Sequence, residues 1–214
     1  MTNRNTSVTI QDDAWLINGA PTYRGREYQG HKIEGLLLNS RMANALFNDT
    51  NELTRVLWKY PDTDAWDPDR NTSEFISTLP EYRNRGLLAV TVNLQGASPF
   101  GYYRLPEFRT LMKSLGIDVP DETMWAGLPE PESQPWHNSA FDAEGELVQP
   151  FMDRLTQILE ATDNLGMVVI LGCFYFGQDE RLKDEDAVKA AVTNACDWLL
   201  EHNHRNVVVE INNE

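Results

Sequence analysis

Groups able to do chemistry cluster in this sequence where apolar runs give way to amides and acids. The closing stretch, Asn206-Val207-Val208-Val209-Glu210-Ile211-Asn212-Asn213-Glu214, is β-branched and finishes in two carboxamides and a carboxylate. β-Branched residues favour strands, and in parallel α/β architectures ligands gather at the carboxyl ends of the strands. Asn213 is then placed to hydrogen-bond a substrate hydroxyl, and Glu214 to exchange a proton as a general acid/base. The same ending recurs three times: Ile33–Leu38 runs into Asn39-Ser40-Arg41, Leu87–Val92 into Asn93-Leu94-Gln95-Gly96, and Met167–Gly172 into a segment reaching Tyr175 and Gln178. As strand-end polar residues, Asn39, Arg41, Asn93, Gln95 and Gln178 need no function. Four strands ending alike are harder to dismiss than one.

Two further acids, Glu34 and Glu210, fall inside apolar runs. An unpaired buried charge is costly, so both read as paired structural carboxylates. Composition narrows the ligand. A net charge of −15, from 33 acids and 18 bases, argues against nucleic acid or an anionic membrane and favours a neutral ligand. The four histidines have no metal-ligand spacing and no Gly-rich phosphate loop accompanies the strands, so no metal or cofactor is expected. A nucleotide-binding fold is the rival that this missing fingerprint disfavours. Residues 1–11 lack a secretory apolar region, and no later run approaches the roughly 18 apolar residues of a membrane span. A cytoplasmic protein with two reduced thiols, Cys173 and Cys196, is expected.

The elements that must position these groups follow from patterning. Ala14–Tyr23, with Asn18-Gly19 at its centre, predicts a hairpin that caps one end of the fold. The run Ile33–Leu38 predicts the first core strand, and 42–71 a long aromatic and polar loop. A helix is predicted from a cap at Asn71-Thr72-Ser73 to Arg85, kinked or restarted at Pro80 and stopped by Gly86. After the second strand comes an insertion at about 97–148, with a short helix within Pro106–Leu115. Pro150 opens a helix ended by Gly166, the third strand follows, and Asp184-Glu185-Asp186 opens a last helix before Val207–Ile211. Four strands alternating with three helices demand a parallel sheet in one α/β domain spanning 1–214.

The segments Trp15-Leu16-Ile17-Asn18-Gly19, Ile33–Arg41, Thr91–Gly96 and Glu210–Glu214 resemble the N-terminal half of cellulase-like (β/α)₈ glycoside hydrolases, of the clan whose fourth strand ends in Asn-Glu. This resemblance implies the first four strands of a TIM-type barrel. It also implies a retaining mechanism, with Glu214 as acid/base and Asn213 contacting the sugar beside the scissile bond. The clan's nucleophile follows strand seven, so the resemblance further implies a chain truncated before it, inactive alone, and completed by the missing C-terminal half of the same barrel. A saccharide substrate would use Asn39, Arg41, Asn93, Gln95 and Gln178 as its floor. Trp58, Trp66, Trp125, Trp136 and Tyr175 could stack on sugar rings or merely pack loops; Trp136, beside His137 and Asn138, is the preferred stacking residue. The rival is a non-catalytic carbohydrate-binding or interaction protein.

Overall fold

The computed structural model describes residues 4–96, 110, 113, 114, 116, 136–175 and 178–213. Near the N-terminus, β1 (Val8–Gln11), β2 (Ala14–Ile17) and β3 (Ala20–Pro21) form a three-stranded antiparallel sheet. β2 and β3 join through Asn18-Gly19, both at positive φ, the conformation that an Asn-Gly hairpin turn needs. Two short antiparallel strands, β4 (Glu27–Tyr28) and β5 (His31–Lys32), follow.

The third sheet is parallel and runs β6-β7-β8-β9: Asn39–Arg41, Ala89–Asn93, Val168–Tyr175 and Val207–Asn213. Between β6 and β7 come a 3₁₀ turn (Ala43–Leu46), the single helical turn α1 (Glu52–Arg55) and α2 (Pro68–Asn84). α3 (Gln149–Leu165) precedes β8, and α4 (Glu185–Glu201) precedes β9. Local chemistry sets the ends of these helices. Asp67 caps α2 by accepting from the amides of Asp69 and Arg70, with Pro68 at the first helical position; this start is earlier than the cap expected at Asn71. Pro80 stays inside one continuous helix. Gly166, at φ 67, terminates α3 in the left-handed conformation, and the Asp184 carboxylate accepts from the Ala187 amide at the start of α4.

Strand alternation assigns the two faces of the parallel sheet. Val90, Val92, Val169 and Leu171 point into a core with Leu79 of α2, Leu155 and Ile158 of α3 and Ala191 and Ala195 of α4. Residues alternating with them, among them Thr91, Asn93, Gly172 and Glu210, belong to the opposite face.

The expected partial TIM barrel is not what forms. The molecule is a small α/β domain whose four-stranded parallel sheet is open, and its other two sheets are both antiparallel. The reason lies in 33–38. This apolar run does not form a strand: Gly35 takes φ +85, its amide donates to the Thr22 carbonyl at 2.8 Å, and its carbonyl accepts from the Trp15 amide at 2.8 Å. The N-terminal antiparallel sheet therefore holds the run, and Leu36 and Leu38 remain exposed. Only the polar trio Asn39–Arg41 is left to pair with β7. A three-residue edge strand is a poor start for a closed barrel, whose strands must tilt and stagger together.

The N-terminal sheet docks at the amino end of the parallel sheet. The Val8 amide donates to the Arg205 carbonyl at 2.9 Å, and the amides of Asn5 and Thr6 donate to the Asp163 carboxylate. The carboxyl ends of β6 to β9 lie at the other end. No helix among the described residues is long and apolar enough to cross a membrane.

Candidate functional site

At the carboxyl half of the parallel sheet, one row of residues crosses three strands. Asn93 of β7 pairs in register with Gly172 of β8, and Gly172 pairs with Glu210 of β9. Gly172 contributes no side chain. A Cβ there would lie 2.8 Å from Asn93 Oδ1 and 3.5 Å from Glu210 Oε2, so the absence of a side chain at Gly172 is what lets the carboxamide lie against the strand beside the carboxylate. Asn93 is 1% exposed, and neither its Oδ1 nor its Nδ2 has a hydrogen-bond partner. Glu210 Oε2 is likewise buried and unpartnered. Native folds rarely leave such atoms unpaired, because each costs roughly 1–3 kcal/mol. Glu210 thus departs from the paired role expected of it, whereas Glu34 fits that role: it accepts from the Gly25 amide at 2.6 Å and lies 3.3 Å from Lys32 Nζ.

Beside this row, Thr91 Oγ1 donates to Asn39 Oδ1 at 3.0 Å. Arg41 is exposed at the end of β6. Both Asn39 and Arg41 are in the edge strand and not in a loop beyond it. Tyr175 is the last residue of β8 and stands opposite Asn213, the last of β9. Glu214 follows in sequence and lies outside the described residues, as does Trp125.

The remaining expected binders form something different. Segment 138–140 lies antiparallel to 94–96: the Gly96 amide donates to the Asn138 carbonyl at 3.0 Å, and the Ala140 amide to the Leu94 carbonyl at 2.8 Å. Gln178 seals this junction. Its Oε1 accepts from the Asn138 amide at 3.1 Å and from Arg181 Nε at 3.1 Å, and its Nε2 donates to the Trp136 carbonyl at 2.8 Å. Asn138 Nδ2 donates to the Gly96 carbonyl, and its Oδ1 accepts from the Asn48 amide at 2.9 Å. Gln95 Nε2 donates to Ser139 Oγ at 3.0 Å, while Gln95 Oε1 is buried without a partner.

Trp136 is fully buried, with Trp58 edge-on at 6.0 Å. It has no exposed face in this structure and packs its segment against Trp58. The side chains of Asn138 and Gln178 hold backbone in the same junction.

Sequence reasoning missed the centre of this network, Asp49. It is fully buried and accepts from Thr54 Oγ1 at 2.5 Å, Trp58 Nε1 at 2.7 Å, and the amides of Asn51 and His137, each at 2.9 Å. An aspartate two residues before Asn51 in Asn48-Asp49-Thr50-Asn51 is the spacing of an Asx turn, the one local signal available. Burial with Arg181 nearby pushes the His137 imidazole down to about 4, so it is neutral at physiological pH. Burial pushes the Cys173 thiol up to about 12, which removes it as a nucleophile. Among the described residues no group of three His, Cys, Asp or Glu side chains could hold a metal.

No protein-family model matches this chain, and no curated protein or solved structure matches it either.

Proposed function

We propose that this protein binds a saccharide at the carboxyl end of its parallel sheet in a glycoside hydrolase-like site that needs no cofactor, with Glu214 as the acid/base of a retaining mechanism whose attacking carboxylate is a second group that these residues do not supply. The observation that carries the reading is the row Asn93, Gly172, Glu210, with three unpartnered polar atoms brought together where Gly172 has no side chain. Hydroxyl groups suit it: they donate to Glu210 Oε2 and Asn93 Oδ1, accept from Asn93 Nδ2, and add no charge to a chain already at −15. Asn213 orients a sugar hydroxyl, and Glu214 protonates the leaving oxygen. Glu210, on the sheet face beside Asn93, holds hydroxyls and is not assigned the attack on carbon. A cytoplasmic setting goes with this reading, and the free thiols Cys173 and Cys196 are in keeping with it.

Non-catalytic carbohydrate binding is the second reading. It is favoured by Glu210 being the one carboxylate, among the described residues, with a buried unpartnered oxygen. Turnover separates the two. The chain is assayed on aryl β-glycosides and natural oligosaccharides with azide or formate added as the external nucleophile that replaces the missing carboxylate, beside Glu214→Gln and Glu210→Gln. Loss of about 10²–10⁴-fold on natural glycosides in Glu214→Gln, with good leaving groups spared, is expected of the proton donor. Binding without turnover would leave the non-catalytic reading. Neither binding nor turnover would remove both.

A further inference from the structure

The aromatic segment between β6 and α2 builds a second feature, separate from the sheet-face row. A cleft of about 260 Å³ is lined by Asn44, Phe47, Trp58, Lys59, Trp66 and Asn71, with Leu57 beside them. Small-molecule sites usually span ~300–1,000 Å³, so this one has room for a single ring. Its aromatic walls are fixed in advance. Trp66 stacks on Tyr60 with centroids 5.8 Å apart and planes 3° apart, and the Arg70 guanidinium covers Tyr60 at 3.9 Å. Arg70 is itself held by Asp62 at 2.7 Å and Glu74 at 2.8 Å. Trp66 Nε1 donates to Asn48 Oδ1 at 3.3 Å, and Trp58 Nε1 to Asp49 at 2.7 Å.

The polar lining specifies the ring. Asn44 Oδ1 is buried and unpartnered, so it calls for a donor. Lys59, the cation at the cleft, is already paired with Asp64 at 3.0 Å. A purely aromatic ligand would leave Asn44 Oδ1 unpaired, and an anion would meet that oxygen unfavourably. A sugar ring offers a C–H face to the indoles and a hydroxyl to Asn44. The lining follows the carboxyl end of β6, and Trp58 touches Trp136 of the segment closing the β7 end.

We infer that this cleft is a subsite for one sugar ring of a longer saccharide, with Trp66 as the stacking wall and Asn44 as hydroxyl acceptor. The inference rests on the saccharide reading above, and two sets of NMR signals keep their failures apart. The ¹⁵N-labelled full chain is titrated with methyl β-D-glucoside, methyl β-D-xyloside and cellotriose, following the Trp66 indole N–H, assigned with Trp66→Phe, and the Asn93 side-chain amide. Saturable shifts at Trp66, weakened several-fold in Asn44→Ala at the same signal and about tenfold in Trp66→Ala as read at the Asn44 side-chain amide, with melting temperature retained, are the expected result. Asn44→Ala keeps the test decisive should Trp66→Ala fold poorly. Shifts at Asn93 with Trp66 silent would overturn the subsite and leave the sheet-face reading. Shifts at Trp66 with Asn93 silent would uphold the subsite and count against the sheet-face row. Silence at both would overturn both.

Discussion

Two regions at the carboxyl end of the sheet use the same kinds of side chain to opposite ends. Around Asp49, Asn138 and Gln178, carboxylate and amides find donors and acceptors within the protein, and the result is a closed joint binding the 136–141 segment to the strand ends. Across Asn93, Gly172 and Glu210 the same chemistry is left without partners. A satisfied polar network specifies and rigidifies a fold, whereas an unsatisfied one costs stability and persists where something else uses it. The contrast separates groups that hold the site together from groups available to a ligand.

That contrast can be broken first at Asp49. Asp49→Ala strands four donors at once, so it should cost about 3–5 kcal/mol, read as a fall in denaturant midpoint, and any loss of binding should follow unfolding. A change under about 1 kcal/mol would show that the network is ornamental.

Acid titration gives the next largest effect. His137 and His204 are both pushed down to about 4 by burial, from an ordinary value of 6.5. Between those values the unfolded chain binds more protons than the folded one, so stability is highest above pH 6.5, falls as pH drops toward 4, and gains no further penalty from these groups below it. His137→Gln should flatten part of that fall in urea titrations run at pH 7 and pH 4.5. An unchanged pH profile would mean that His137 is solvated.

The smallest effect has the opposite sign. Asn93→Val replaces an unpartnered carboxamide with an apolar group of similar size, and should leave stability unchanged or raise it by about 1 kcal/mol while abolishing saccharide binding. Marked destabilisation would place Asn93 with the network around Asp49 instead.

Much of the α/β alternation was legible in the sequence because its signals are local. Pro150 and Gly166 bracket α3, Asp184 caps α4, and the β-branched run before Asn212 forms β9. The first strand was not legible, since Ile33–Leu38 has the composition of a core strand and only its bonds to Trp15 and Thr22 divert it. The barrel expectation failed with it. For the site, strand-end amides were visible but their roles were not. Asn93 and Gln178 look alike in a sequence, and what distinguishes them is whether a backbone segment far along the chain, here Trp136 to Asn138, comes to meet them. Glu210 illustrates the converse, since pairing was inferred from the cost of burial and the partner is missing.

Gly172 has a consequence for how this protein can vary. Its backbone does not occupy the left-handed region that favours glycine, so no backbone strain bars alanine from β8, and what an added Cβ would meet is the end of the Asn93 side chain. What alanine would displace is the Asn93 carboxamide from its place beside Glu210. Selection for folding alone would therefore let the glycine drift toward small β-formers, while selection for a ligand would hold it. Position 172 is thus a place where inheritance of the fold and inheritance of the activity can come apart, and descendants that keep this architecture without glycine there would be expected to have left the ligand behind.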